Sequence, residues 1–123
     1  MNDRTSKLLL DAYLARGDMM SFVDGVTLAA YNESSPVRSA VERQIEIAAE
    51  ALAKAIELDP SVEALLPEYH EVRGMRNRLA HDYERTDTEV VWNAAKNRAP
   101  VLRERLGVIL TGAGWGHVLD ADA

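Results

Sequence analysis

A chain of 123 residues and 13.6 kDa can bury one modest hydrophobic core but not two, so a single domain is expected. Its 47% hydrophobic and 28% charged residues exclude a disordered tail or a fibrous repeat, and no apolar run approaches the roughly 20 residues of a membrane helix. A net charge of −6 argues against a general electrostatic binder of nucleic acid, and zero cysteines exclude disulfides, thiolate metal sites and a thiol nucleophile.

The start of the chain lacks the pattern of a secretory signal, which points to a cytoplasmic protein. With 18 alanines, 14 leucines and few strong β-formers, the composition predicts an all-α fold. The first segment, Asp3 to Ala30, reads as a broken helix in which Leu9, Tyr13 and Leu14 share a face before Gly17 and Asp18 interrupt it. Phe22, Val26 and Leu28 continue an apolar face, and Tyr31 to Ser35 reads as a polar connector.

Ser35-Pro36 supplies a capping oxygen followed by proline at the first helical position, and the second helix is expected from Pro36 to about Leu58. Val37, Val41, Ile45, Ala48, Leu52 and Ile56 fall on one face of it, while Glu42, Glu46, Glu50 and Glu57 line the other. That acidic stripe has no Glu-x-x-His companion of the kind carboxylate-bridged metal sites use. Arg43 with Glu46 and Glu50 with Lys54 suit surface ion pairs instead.

Asp59-Pro60 ends this helix and introduces a short one through Leu66, and Pro67 opens a third major helix reaching about His81. Thr86-Asp87-Thr88-Glu89 has the form of a capping box for a last long helix from Asp87 to Leu110. Val91, Ala94 or Ala95, Val101, Leu102 and Leu106 supply its buried stripe, and Pro100 predicts a kink near Asn97 to Ala99. The glycine-rich residues from 111 to 123 read as a flexible tail after a helical domain over residues 1–110. Gly112-Ala113-Gly114-Trp115-Gly116 lacks the lysine and the following helix of a phosphate-binding loop.

The chemistry-bearing segment is Arg73 to Tyr83. The stretch from Arg73 to Arg85 carries +2 on a chain that is otherwise −8. On a helix, Val72, Met75 and Leu79 form the core stripe, and Asn77 and His81 lie together on the opposite side with Gly74 one turn below. A glycine there weakens the helix by about 1 kcal/mol relative to alanine, which suggests close approach of a partner or ligand. Arg76 lies about 140° and about 7.5 Å along the axis from His81, so the two converge on a common ligand or where the helix ends. Arginine presents a fork of donors to phosphate oxygens, and histidine moves protons near neutrality. The plainer alternative is that these are ordinary exposed polar residues.

Arg76-Asn77-x3-His81-x-Tyr83 resembles the signature of HepT-like toxins, a branch of the HEPN superfamily (higher eukaryote and prokaryote nucleotide-binding). Arg-x4-His alone is a loose pattern. The asparagine after the arginine and the tyrosine two places after the histidine make it specific. Val41 to Ala51 resembles the family's second-helix segment, Glu89-Val90-Val91-Trp92 the start of its last helix, and Pro100 occupies the family's proline position. Ala49 stands where glycine is common, and Tyr69 where tryptophan is common.

The resemblance implies an antiparallel helical bundle of four to five helices that forms a homodimer, with two signature motifs facing one cleft. It implies a metal-independent endoribonuclease without cofactor, acting on RNA such as tRNA or mRNA as the toxin of a type II toxin-antitoxin system. Carried over, Arg76 and His81 are the catalytic pair, and Asn77, Arg73 and Arg78 position phosphate or substrate. The partner implied is a minimal nucleotidyltransferase antitoxin that transfers AMP to Tyr83. A competing reading is a non-catalytic subunit that binds nucleotide or docks the nucleotidyltransferase, which the net charge of −6 favours slightly. Neither reading involves a membrane.

Overall fold

The structure, a computed structural model, describes residues 1–81 and 87–120. Among these residues every element is helical: α1 (Asp3–Val23), α2 (Leu28–Glu33), α3 (Ser35–Leu58), α4 (Ser61–Leu65), α5 (Tyr69–His81), α6 (Thr88–Asn93), a π-helical segment (Ala94–Arg98), α7 (Ala99–Gly112) and α8 (Gly116–Asp120). The expected all-α bundle is what forms. No helix among them is long and apolar enough to cross a membrane.

α1 and α3 form the main packing pair, with α7 against α1 and α5 against α3. Both helices contribute small buried residues to the main core cluster, Ala12 and Ala15 from α1 and Ala48, Ala51 and Ala55 from α3. α3 follows the sequence closely: the Ser34 hydroxyl accepts from the Val37 N–H at 3.3 Å, Pro36 occupies the first turn, and Val41, Ile45, Ala48 and Leu52 are buried. The cap is therefore Ser34, one residue earlier than expected. The Arg43–Glu46 and Lys54–Glu50 pairs form on its outer side at 3.1 and 3.5 Å. After α3, the Asp59 carboxylate accepts from the Ser61 hydroxyl and N–H, which holds its pKa below the ordinary value.

Several expectations are corrected. α1 is not interrupted at Gly17 and Asp18. Gly17 sits inside the helix because a Cβ there would stand 3.2 Å from the Arg103 Nε, and the Arg103 guanidinium stacks at 4.3 Å over the Tyr13 ring. Tyr31 is no polar connector; it lies in α2 at 1% exposure, within a second core cluster around Met19, Val23, Val41 and Ile45. α5 begins at Tyr69, two residues beyond Pro67. The cap of α6 is Asp87, whose carboxylate accepts from the Glu89 N–H at 2.9 Å, and Thr86 lies outside the described residues.

The distortion expected from Pro100 takes the form of a π turn over Ala94–Arg98, with the Ala99 N–H donating to the Ala94 carbonyl five residues back. Proline has no N–H for the carbonyl one turn before it, and the wider turn absorbs that loss. The buried stripe of this region runs through Val91, Ala95, Ala99, Leu102, Leu106 and Leu110, whereas Val101 is 39% exposed. Val101 lies about 100° round the regular helix α7 from Leu102, off the stripe that Leu102, Leu106 and Leu110 define.

The segment from Thr111 to Asp120, expected to be a flexible tail, completes α7 and forms α8. Gly114 has φ +87°, the Trp115 N–H donates to the Leu110 carbonyl at 2.8 Å, and the Gly114 N–H donates to the Thr111 carbonyl at 3.1 Å. These are the two bonds of a Schellman C-cap with glycine in the left-handed position. The turn folds Trp115, Val118 and Leu119 back onto the main core.

Candidate active site on helix α5

The N-terminal half of α5 is fixed from below. Tyr69 and Val72 are buried, the Glu71 carboxylate receives two bonds from Arg98 (Nε at 3.0 Å and Nη2 at 2.9 Å), and the preceding Glu68 receives one from Arg105 Nε at 2.7 Å. The pairing with Glu71 raises the Arg98 pKa above its ordinary value. The Arg73 guanidinium lies 5.8 Å from the centroid of the Tyr69 ring. Further along, Met75 and Leu79 are half-buried against the second core cluster, so the expected Val72, Met75, Leu79 stripe faces inward.

That orientation leaves the rest of α5 to solvent. Arg73, Gly74, Arg76, Asn77, Arg78 and His81 are all exposed, and none of the described residues stands within 4 Å of where a Gly74 Cβ would be. Asn77 and His81 are one helical turn apart on this face. The described helix ends at His81, and Tyr83 lies outside the described residues.

A groove of about 490 Å³ runs beside this face, with Arg76, Leu79 and Ala80 of α5 on one wall and Ser39, Glu42, Arg43 and Glu46 of α3 on the other. The structure thus brings Arg76 together with the acidic side of α3. Asn77, His81, Arg73 and Arg78 share the exposed surface of α5 but do not line the groove. The α3 wall was legible in the sequence only as a solvated acidic stripe, because which neighbour crosses a stripe is a tertiary fact.

Sequence reasoning also passed over Arg16 and Glu68, which are buried beneath α5. A signal existed for the first: Arg16 continues the Leu9, Tyr13 face of α1 at a three-residue step. Among the described residues no three His, Asp or Glu side chains stand together as a metal-binding group.

In the comparison with protein families the chain matches the model described as Ribonuclease HepT-like over residues 15–109. No solved structure matches the chain. The matched span runs from α1 to α7 and contains Arg76, Asn77 and His81, so the exposed face of α5 falls within it. More than half the chain is covered, and the chain belongs to the HepT-like ribonuclease family.

Proposed function

We infer that this protein is an endoribonuclease that cleaves RNA without a metal ion, and that it acts as the toxin of a type II toxin-antitoxin pair. The observation that carries the reading is the exposure of Arg76, Asn77 and His81 along α5 in a chain of the HepT-like ribonuclease family. These residue types suffice for the chemistry. The 2′-hydroxyl oxygen of the substrate attacks the adjacent phosphorus as a base removes its proton. The bond from phosphorus to the 5′-oxygen then breaks as an acid returns a proton to the leaving oxygen. The products are a 2′,3′-cyclic phosphate and a 5′-hydroxyl.

In a homodimer with two motifs facing one cleft, one His81 serves as the base and its counterpart as the acid. Arg76 neutralises charge on the pentacovalent phosphorus, and Asn77 orients the phosphate or His81. Arg73 and Arg78 hold flanking phosphates. The open space over Gly74 supports such a dimer, since it leaves room for a second backbone against this face. A minimal nucleotidyltransferase antitoxin inactivates the enzyme by transferring AMP from ATP to the Tyr83 hydroxyl, with pyrophosphate leaving and the phenol proton lost, and the bulky anion two residues from His81 repels the substrate's phosphates.

The test is incubation of the purified protein with total tRNA and a structured messenger in EDTA, beside His81→Ala. Discrete products ending in 2′,3′-cyclic phosphate are expected from the wild type, with activity at least about 100-fold lower in the variant. Intact RNA with both proteins, and a mass showing Tyr83 unmodified, would transfer support to the non-catalytic nucleotide-binding subunit.

A further inference from the structure

The signature residues occupy only the second half of α5. Its first half carries a histidine outside the signature: His70 is exposed and lies eleven residues before His81. Eleven residues make about three turns and about 20°, so the two imidazoles stand on one side of the helix, about 16.5 Å apart along its axis. Gly74 and Asn77 fall between them, within about 30° of the line that joins them, and Arg73 and Arg78 stand about 70° to either side of it. At the middle of this line none of the described residues lies within 4 Å of a Gly74 Cβ, and glycine leaves the helix backbone open to close approach.

The charges along this line differ from those of the neighbouring groove. In the groove Arg43 and Arg76 meet Glu42 and Glu46, one carboxylate for each guanidinium, and Arg43 is bonded to Glu46 at 3.1 Å. A phosphate entering there meets the carboxylates as well as the arginines. Along α5 the one acidic residue is Glu71, and both its oxygens are held by Arg98. The helix is therefore positive on both sides of the His70–His81 line. The buried Tyr69 ring orders the far end: the Arg73 guanidinium lies 5.8 Å from its centroid, and the His70 ring centroid lies 6.3 Å from it. A polyanion is matched by the line and not by the groove.

We propose that His70 is a substrate-binding residue: a single strand of RNA lies along α5, with the cleaved phosphodiester at Arg76 and His81 and a phosphate further along the strand accepting an N–H from the His70 ring. The position of the cleaved bond rests on the ribonuclease reading. Imidazole carries at least one N–H in either protonation state, so the contact does not require a charged ring. The sugar–phosphate backbone passes over Gly74, where a side chain would lift it from the helix, and Arg73 and Arg78 hold it from the two sides. With phosphates about 3.4 Å apart along a stacked strand, the distance from His81 to His70 spans at most about five nucleotides. A dinucleotide at the cleavage site falls short of His70, and an octanucleotide reaches it.

The experiment adds two uncleavable RNAs, methylated at every 2′-hydroxyl, to the ¹⁵N-labelled full chain: dinucleotides and octanucleotides, each a pool of random sequence. The dinucleotides are expected to shift the amide signals of Asn77 and His81 and leave that of His70 in place. The octanucleotides are expected to shift all three saturably. His70→Ala should weaken octanucleotide binding about fivefold and leave dinucleotide binding unchanged, and His70→Gln, which keeps an N–H donor, should restore most of the loss. Because His70 is exposed, both variants should fold.

Octanucleotides that shift Ser39 and Glu46 of the groove wall without His70 would overturn the proposal. So would an equal loss for both lengths in His70→Ala, or the absence of a saturable shift up to low-millimolar octanucleotide. Binding of an uncleavable strand is read independently of turnover. A strand bound along α5 beside intact RNA in the cleavage assay would remove the nuclease reading and leave the track, and cleavage with His70 unmoved would do the reverse.

Discussion

Gly17 in α1 and Gly74 in α5 occupy opposite environments, and the difference decides what a methyl group would do at each. At Gly17 an added Cβ would press on Arg103, whose guanidinium covers Tyr13, so the glycine serves helix packing. At Gly74 nothing among the described residues lies within 4 Å of an added Cβ, and no contact among them accounts for the absence of a side chain. Gly74→Ala should therefore raise the stability of the folded chain by about 1 kcal/mol through helix propensity alone. On the proposed reading it should also lower RNA cleavage, because the methyl enters the space where a second copy or the substrate approaches. Thermal melting and a cleavage assay on the same sample separate the two effects. A higher melting temperature with unchanged cleavage would show that nothing comes close to this face. The face itself was legible in the sequence, since helical geometry alone places Gly74, Asn77 and His81 opposite Val72, Met75 and Leu79. The buried Arg16 was not, because a charged residue inside an apolar stripe is ordinarily read as the point where the stripe ends.

At the scale of elements, reading succeeded where a local signal had one meaning and failed where it had two. The start of α3 was legible to within one residue, expected at Ser35-Pro36 and capped by Ser34, because its causes lie in a few residues: a hydroxyl for an orphan N–H and a ring that fixes φ. Glycines after a helix are ambiguous: they suit a flexible tail or a left-handed cap, and Gly114 is the cap. What separates the two meanings is the aromatic residue that follows, since Trp115 is in place to fold back onto the main core. Gly114→Ala forces an ordinary residue into φ +87°, at a cost of about 1–2 kcal/mol. The expected outcome is a lower melting temperature together with red-shifted tryptophan emission as Trp115 leaves the core. Trp92 should contribute a constant background, because its indole N–H remains bonded to the Val26 carbonyl at 2.9 Å. An unchanged emission spectrum would mean that α8 docks without its cap. Pro100 was ambiguous in the same way: its lost hydrogen bond was foreseeable, but a sharp kink and a π turn relieve it equally well, and core packing selects between them.

For the molecule as a whole, the question is how a chain of net charge −6 would hold a polyanion. The exposed surface of α5 carries Arg73, Arg76 and Arg78, while the body beyond it supplies the excess of carboxylates. Direct contacts to phosphate release condensed counterions, with a log–log salt slope of about −0.7 per phosphate on single strands. Repulsion from the distant carboxylates acts through solvent and is screened beyond about 10 Å at 0.1 M salt. The two respond to salt in opposite senses: added salt weakens the contacts and relieves the repulsion. If all three arginines touch phosphate, the apparent KM for RNA should rise roughly 20-fold between 50 and 200 mM salt, less whatever the relief of repulsion returns. The total slope therefore mixes two effects, but the change in slope on removing one arginine does not. Arg73→Gln leaves the acidic body almost untouched, so it should reduce the slope by about 0.7 if Arg73 holds a phosphate. An unaltered slope would confine Arg73 to its stacking on Tyr69 and leave phosphate binding to the residues nearer the groove.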